Sequence, residues 1–227
     1  MANIIMIGGE SGSGKSTSLE GLSLNPVLRE NTGVFNVASK RLPFRNELAV
    51  INHADYDKIF KSWQKSEKTG KWKKIYVVDD ATYLLSFDSF NRALESGYQK
   101  YTAMAVNYYN LLKYAIEVVP DDVNVYFLQH TERSDDGHIK IKTLGKMIDN
   151  QLCLEGLFGI VLLAQTDGKR HWFVTQSDGY TTAKSPKGMF PLEIDNDLAL
   201  VDTTIREYYG MTPIVNTTAE ADEKESA

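Results

Sequence analysis

Short apolar runs alternating with amphipathic segments predict an α/β fold, with a mostly parallel sheet and helices on both faces. Three observations carry that expectation. The chain enters an apolar strand at residues 3–7 and leaves it into a glycine-rich turn. Two further apolar runs, Ile75-Tyr76-Val77-Val78 and Val123-Asn124-Val125-Tyr126-Phe127-Leu128, end in polar pairs, Asp79-Asp80 and Gln129-His130. Between and after them lie segments of helical period. With 227 residues and 42% hydrophobic content, one domain with a sizeable core is expected at residues 1–212, followed by an acidic, disordered tail at 213–227.

The first element gives the sharpest signal. Gly9-Glu10-Ser11-Gly12-Ser13-Gly14-Lys15-Ser16 satisfies G-x-x-x-x-G-K-S/T, the phosphate-binding P-loop, and lies between a strand and a helix as that loop must. Backbone N–H groups of Gly9 to Thr17 would face the phosphates of ATP, Lys15 adds a point charge, and the Ser16 hydroxyl can ligate Mg²⁺. The helix that begins near Lys15 runs to Leu24 and stops at Asn25-Pro26. Residues 33–38 read as a second strand, followed by a basic loop, Lys40-Arg41-Leu42-Pro43-Phe44-Arg45.

Tyr56, Ile59, Phe60 and Trp63 recur at helical spacing over residues 55–65. The strand at 75–78 closes in Asp79, the position of a carboxylate that holds Mg²⁺ largely through water. Asp80 could orient or deprotonate an attacking water, or cap the residues that follow; Glu10, Glu47 and Glu132 are rival bases. One long helix is expected over 91–118, with the stripe Leu94, Tyr98, Tyr101, Ala105, Tyr108, Leu112, Ala115 turned inward. Gln129 ends the next strand and reads as a sensor of the γ-phosphate. His130, a single histidine without metal-ligand spacing, is a weaker candidate. A helix near 145–155, a hairpin of strands 159–164 and 171–175 around Asp167-Gly168, and a helix at 196–209 complete the chain.

Ligands of such sheets bind at the carboxyl ends of the strands, so the P-loop, Asp79-Asp80 and Gln129-His130 belong on one rim. The net charge of −5 requires any nucleic-acid contact to use a local basic patch. Two clusters offer one: Lys40, Arg41 and Arg45, and the series Lys58, Lys61, Lys65, Lys68, Lys71, Lys73, Lys74 with Trp63 and Trp72 interleaved. Lysines that track phosphates and aromatics that stack on bases suit single-stranded nucleic acid, whereas a helical period also suits a solvated face with Trp63 turned inward. Lys140, Lys142, Lys146, Lys184 and Lys187 are candidate fingers toward a neighbour's γ-phosphate. The lone Cys153 excludes an intramolecular disulfide, and no apolar run approaches the ~18 residues of a membrane span.

The ordered set of motifs resembles the phage-type AAA-family, RecA-like ATPases of the single-strand annealing kind. The matching residues are Gly9–Ser16, Lys40-Arg41-Leu42-Pro43-Phe44, Asp79-Asp80, Gln129-His130, Leu144-Gly145-Lys146, Met189-Phe190-Pro191, Asn196-Asp197 and Arg206-Glu207-Tyr208-Tyr209. The resemblance implies a RecA-like three-layer sandwich in which an additional strand separates the P-loop strand from the Asp79 strand. It further implies an ATP- and Mg²⁺-dependent accessory of DNA recombination that binds single-stranded DNA and forms homo-oligomers. Such a protein would work with a single-strand-binding protein in the cytoplasm, that of the host cell if phage-encoded. Asp80 departs from the serine or glutamate common in that wider class. Two other readings of the same loop are a nucleoside or nucleotide kinase and a nucleotide-gated assembly protein without turnover.

Overall fold

The computed structural model describes residues 2–97, 99–143 and 154–215. Its strands are β1 (Asn3–Gly9), β2 (Thr32–Asn36), β3 (Ala49–Asn52), β4 (Ile75–Asp79), β5 (Asn124–Arg133), β6 (Ile139–Ile141), β7 (Ile160–Thr166), β8 (His171–Val174) and β9 (Glu193–Asp195). Among the described residues they form one sheet in the order β3-β2-β4-β5-β1-β7-β8-β9, with β6 paired to β5. Neighbours from β3 to β7 run parallel; β8 and β9 are added antiparallel, so the expected C-terminal hairpin is present with one further strand. The additional strand is β5, which lies between β4 and β1 as the resemblance implied.

Parallel strands buried on both faces need apolar residues at successive positions. Strand β1 supplies them: Met6 faces one layer and Ile5 and Ile7 the other. The first layer contains α3 (Tyr56–Thr69), α4 (Thr82–Asn91) and α5 (Gln99–Glu117), whose Ile59, Trp63, Leu84, Leu85, Leu111 and Leu112 pack on Met6, Val78 and Phe127. The second contains α1 (Glu20–Leu24), α2 (Pro26–Glu30) and α6 (Leu198–Tyr209). There Leu19, Leu22, Leu198, Val201 and Ile205 cover Ile7, Val77, Tyr126 and Leu128.

Local chemistry sets the element ends. Asn25 stops α1 and its side-chain oxygen accepts from Val27 and Leu28, starting α2 with Pro26 in the first turn. Asp55 caps α3, which ends in left-handed Gly70. The helix expected over 91–118 is present only from Gln99, and a separate helix, α4, ends at Asn91 where it was to begin. Residues 92–97 break the path and include Gly97 at φ 88°, so α5 starts only at Gln99. The stripe therefore holds from Tyr108 through Leu112 to Ala115, whereas Leu94 is wholly exposed and Tyr101 partly so; Tyr98 lies outside the described residues. The helix expected near 145–155 falls largely outside them too, as do Cys153, Lys146 and most of the acidic tail. No helix of the described residues is long and apolar enough to cross a membrane.

Candidate nucleotide site

The loop leaving β1 turns on glycines. Gly14 has φ 95°, and a Cβ there would stand 2.8 Å from His171 Nδ1; a Cβ on Gly9 would stand 2.9 Å from the Ala164 carbonyl. Ser18 N–H donates to Gly14 O (3.0 Å), so the first helical turn is tied directly to the loop, as a tight 3₁₀ turn over Ser16–Leu19 before α1. Lys15 is buried and its ammonium donates to the carbonyls of Gly9 and Glu10, both at 2.8 Å. Ser16 Oγ donates to Asp79 Oδ1 (2.9 Å), which brings the two expected metal ligands together.

A cavity of 270 Å³ is lined by residues 11, 12 and 14–17 of the loop, by Lys40, Arg41 and Pro43 beyond β2, and by Asp79, Asp80, His130 and His171. Asp80 is buried beside Asp79; its carboxylate meets Lys40 Nζ at 2.7 Å and His130 Nε2 at 3.2 Å. His130 Nε2 thus stands within ion-pair distance of Asp80. Of the rival bases, Glu47 pairs with Arg29 (2.9 Å) and Glu132 with Lys140 (3.1 Å), while Glu10 is exposed. None of these three lines the cavity.

Register separates Gln129 from His130. Pairing of β1 with β5 sets Gly8 against Gln129 and Gly9 against His130. Successive side chains of a strand take opposite faces. Thus His130 shares the loop side with Tyr126 and Leu128, while Gln129 points into the α4–α5 layer. There it is buried, accepting from Thr82 Oγ1 (3.1 Å) and donating to the Tyr108 hydroxyl. Thr82 Oγ1 in turn accepts from the His130 backbone N–H (2.9 Å). The structure thus brings Lys15, Ser16, Asp79 and Asp80 together, adds His130, Lys40 and His171, and leaves Gln129 behind the strand.

Burial and neighbouring charges shift the ionisable groups of the site. Burial draws the Lys15 ammonium down to about 8, against the partial support of Asp80 and Asp79. Burial, then the neighbouring Asp80 charge, pushes Asp79 up to about 6. Burial alone would raise Asp80 as well, but the nearby His130 and Lys40 hold its carboxyl below the ordinary range.

The donor set suits a Mg²⁺–nucleotide. Among the described residues no three His, Cys, Asp or Glu side chains gather to hold a metal unaided. A hydroxyl and one carboxylate oxygen are what Mg²⁺ takes from a protein when phosphates and water supply the rest. The two-glycine cradle leaves its backbone open to phosphate, as Gly12 (φ 82°) and Gly14 accept no Cβ without strain.

These features define a P-loop NTPase fold of the RecA-like, additional-strand class. No protein-family model matches the chain, and no curated protein sequence matches it. Among solved structures the chain is similar to an ATPase domain, at 13% identity and a TM-score of 0.45, over 82% of this chain and 78% of that one. At that distance the likeness adds nothing to the strand order and loop geometry, on which the fold assignment stands.

Proposed function

We propose that the protein is a Mg²⁺-dependent ATPase whose turnover is coupled to single-stranded DNA. The carrying observation is the convergence of Lys15, Ser16, Asp79 and Asp80 on one rim cavity, with β5 inserted between the strands that bear them. Lys15 and the loop amides bind the phosphates. Ser16 and Asp79 would hold Mg²⁺, which when bound neutralises charge on the β- and γ-phosphates. Asp80 accepts a hydrogen bond from the attacking water and sets its line of approach.

The DNA part of this reading is supported by a groove of 750 Å³ beside the edge strand β3, lined by Trp72 together with Lys65, Lys71 and Lys73. Trp72 is half-buried and meets Tyr76 edge-on at 6.3 Å. Trp63, by contrast, is wholly buried in the core and is withdrawn from any such role. Lys73 and Lys74 are partly engaged, by Glu30 O and Asp122, and Lys61 lies near Asp57. The basic series is therefore narrower than its spacing suggested.

Phosphate release should be measured with and without single-stranded DNA at low and high salt, beside a Lys15→Ala control. Expected are Mg²⁺-dependent hydrolysis, acceleration by DNA, and a steep loss of DNA affinity with salt. Hydrolysis indifferent to DNA would remove the DNA part. Phosphorylated product from a panel of nucleosides and nucleotides would replace the ATPase with a kinase.

A further inference from the structure

Among the described residues, three non-glycine residues have left-handed backbones: Ser39 (φ 55°), His53 (φ 50°) and Asp80 (φ 58°). All three stand at the carboxyl ends of neighbouring strands, after β2, β3 and β4. Left-handed backbone in residues with a Cβ costs free energy and persists where surrounding contacts impose it. The contacts that impose it here surround Lys40. Ser39 Oγ accepts from the His53 N–H at 2.5 Å. Asn36, buried at the end of β2, donates its amide to Lys40 O (2.6 Å) and to Asn52 Oδ1 (3.1 Å). Lys58 reaches from α3 to the carbonyls of Asn52 and His53. Two strand ends and a helix thus fix the backbone on both sides of one lysine.

That lysine extends over the nucleotide cavity. Its Nζ is 2.7 Å from Asp80 Oδ2 and 5.3 Å from the Tyr83 ring centroid. An ammonium has three donors, and Asp80 uses one. The side chain stays 61% exposed and lines the same cavity as Lys15, Asp79 and His130.

We propose that Lys40 is a catalytic residue, a cation supplied within the same chain that bridges Asp80 and the terminal phosphate of bound ATP. The assignment rests on the ATPase reading above and supplies the phosphate-facing charge that the sequence suggested only as a finger from a neighbouring subunit. In the reaction a bond forms from the water oxygen to Pγ, and the bond from Pγ to the β,γ-bridging oxygen breaks, its electron pair staying on ADP. The water's proton ends on the released phosphate or in solvent. Lys40 stabilises the charge on the equatorial γ-oxygens while keeping Asp80 aligned on the water. Because it meets the γ-phosphate and not the β-phosphate, it also favours ATP over ADP.

The test compares wild type, Lys40→Ala, Lys40→Arg and Lys15→Ala in Mg²⁺ buffer. Titration calorimetry gives ATP and ADP affinities, single-turnover phosphate release gives the chemical step, and thermal midpoints check folding. Lys40→Ala should slow release by about 10²- to 10³-fold, the range found for removing one preorganised charge-stabilising donor. It should weaken ATP roughly tenfold, about the worth of one charge-assisted hydrogen bond, and leave ADP unchanged. Lys40→Arg should recover part of both losses. A Lys40→Ala protein with the wild-type rate and ATP-to-ADP ratio overturns the assignment, as does one that loses both nucleotides equally, which would mean that Lys40 only shapes the loop. If the wild type neither binds nor hydrolyses ATP, the ATPase reading fails and takes Lys40 with it. If the wild type is active, Lys15→Ala is inactive and Lys40→Ala is unaffected, Lys40 alone is refuted.

Discussion

Two buried polar clusters sit at opposite ends of the same sheet, and they are built on opposite principles. At the amino ends of the strands, Asp202 of α6 accepts from Asn124 (2.7 Å), Tyr126 (2.9 Å) and Arg206 Nε (2.6 Å). The rest of the Arg206 guanidinium donates to the carbonyls of Lys74 (2.8 Å), Asp122 (3.1 Å) and Thr212 (3.4 Å). The donors and acceptors of that pair are well occupied, and together they pin α6 to β5 and to the entry of β4. At the carboxyl ends, Lys15 and Asp79 are almost as deeply buried, and burial displaces both from their ordinary protonation ranges, as it does Tyr126 in the first cluster. Lys15 and Asp79 both face a cavity that Lys40, Asp80 and His130 also line. A saturated buried network is architecture. A buried charged cluster that opens on a cavity is a candidate ligand site.

The strongest way to break this comparison is Arg206→Ala. It leaves Asp202 charged and buried without its partner, so stability should fall by about 3–5 kcal/mol in denaturant unfolding. Asp202→Leu with Arg206→Met should recover part of that loss. A wild-type midpoint for Arg206→Ala would show that the network is ornamental.

Asp79→Asn should act in the opposite direction. A carboxyl raised from 3.8 to about 6 in the folded state binds its proton more tightly there than in the unfolded chain. Its stability cost is absent below pH 3.8, grows between pH 4 and 6, and is complete above about 6. Without nucleotide and with EDTA present, Asp79→Asn should therefore exceed wild type at about pH 8, by at most about 3 kcal/mol. That gap should close by about pH 4, while Mg²⁺-dependent nucleotide binding is lost. A gap independent of pH would refute the strained-carboxylate account.

Saturating Mg²⁺–ATP at ~100-fold over Kd should stabilise the wild type by about 2.7 kcal/mol in a thermal shift. Lys15→Ala should show no such shift while keeping a native far-UV spectrum. The smallest effect belongs to a region outside both clusters. Asn25→Ala removes the cap of α2 and should cost about 1 kcal/mol with nucleotide affinity unchanged, which calibrates the other values.

Much of this fold is legible in the chain because its strands are short, apolar and punctuated. Residues 3–7, 75–78 and 159–164 read as strands, and the Asp167-Gly168 turn marks the hairpin of β7 and β8. The edges are less legible. Strand β3 has four residues and β9 three, too few to show a period, and both exist because a neighbour offers an unpaired edge. The helix α4 escapes notice since Leu84 and Leu85 pack while Phe87 and Phe90 are exposed, leaving little amphipathic contrast. In the candidate site, Lys15, Ser16 and Asp79 are legible because binding phosphate and Mg²⁺ would demand those residue types at those points. His171 carries no such signature; it arrives from far along the chain, where β8 runs past the loop and meets Gly14.

The order of motifs along the chain determined that the glycine-rich loop, Asp79-Asp80 and Gln129-His130 belong on one rim. It did so because the alternation of strand and helix allows few topologies and puts like ends together. Only the tertiary structure decided that His130 rather than Gln129 meets the loop, whereas Asp79 and Asp80 both line its cavity. Asp79 and His130 lie on its side of the sheet, while Gln129 is one residue, and therefore one face, away. That choice depends on strand parity relative to a helix packed from another part of the chain, which no local spacing records. The same holds for Lys40, which reaches the cavity because β2 lies beside β4 in the sheet and because two strained turns hold its loop there.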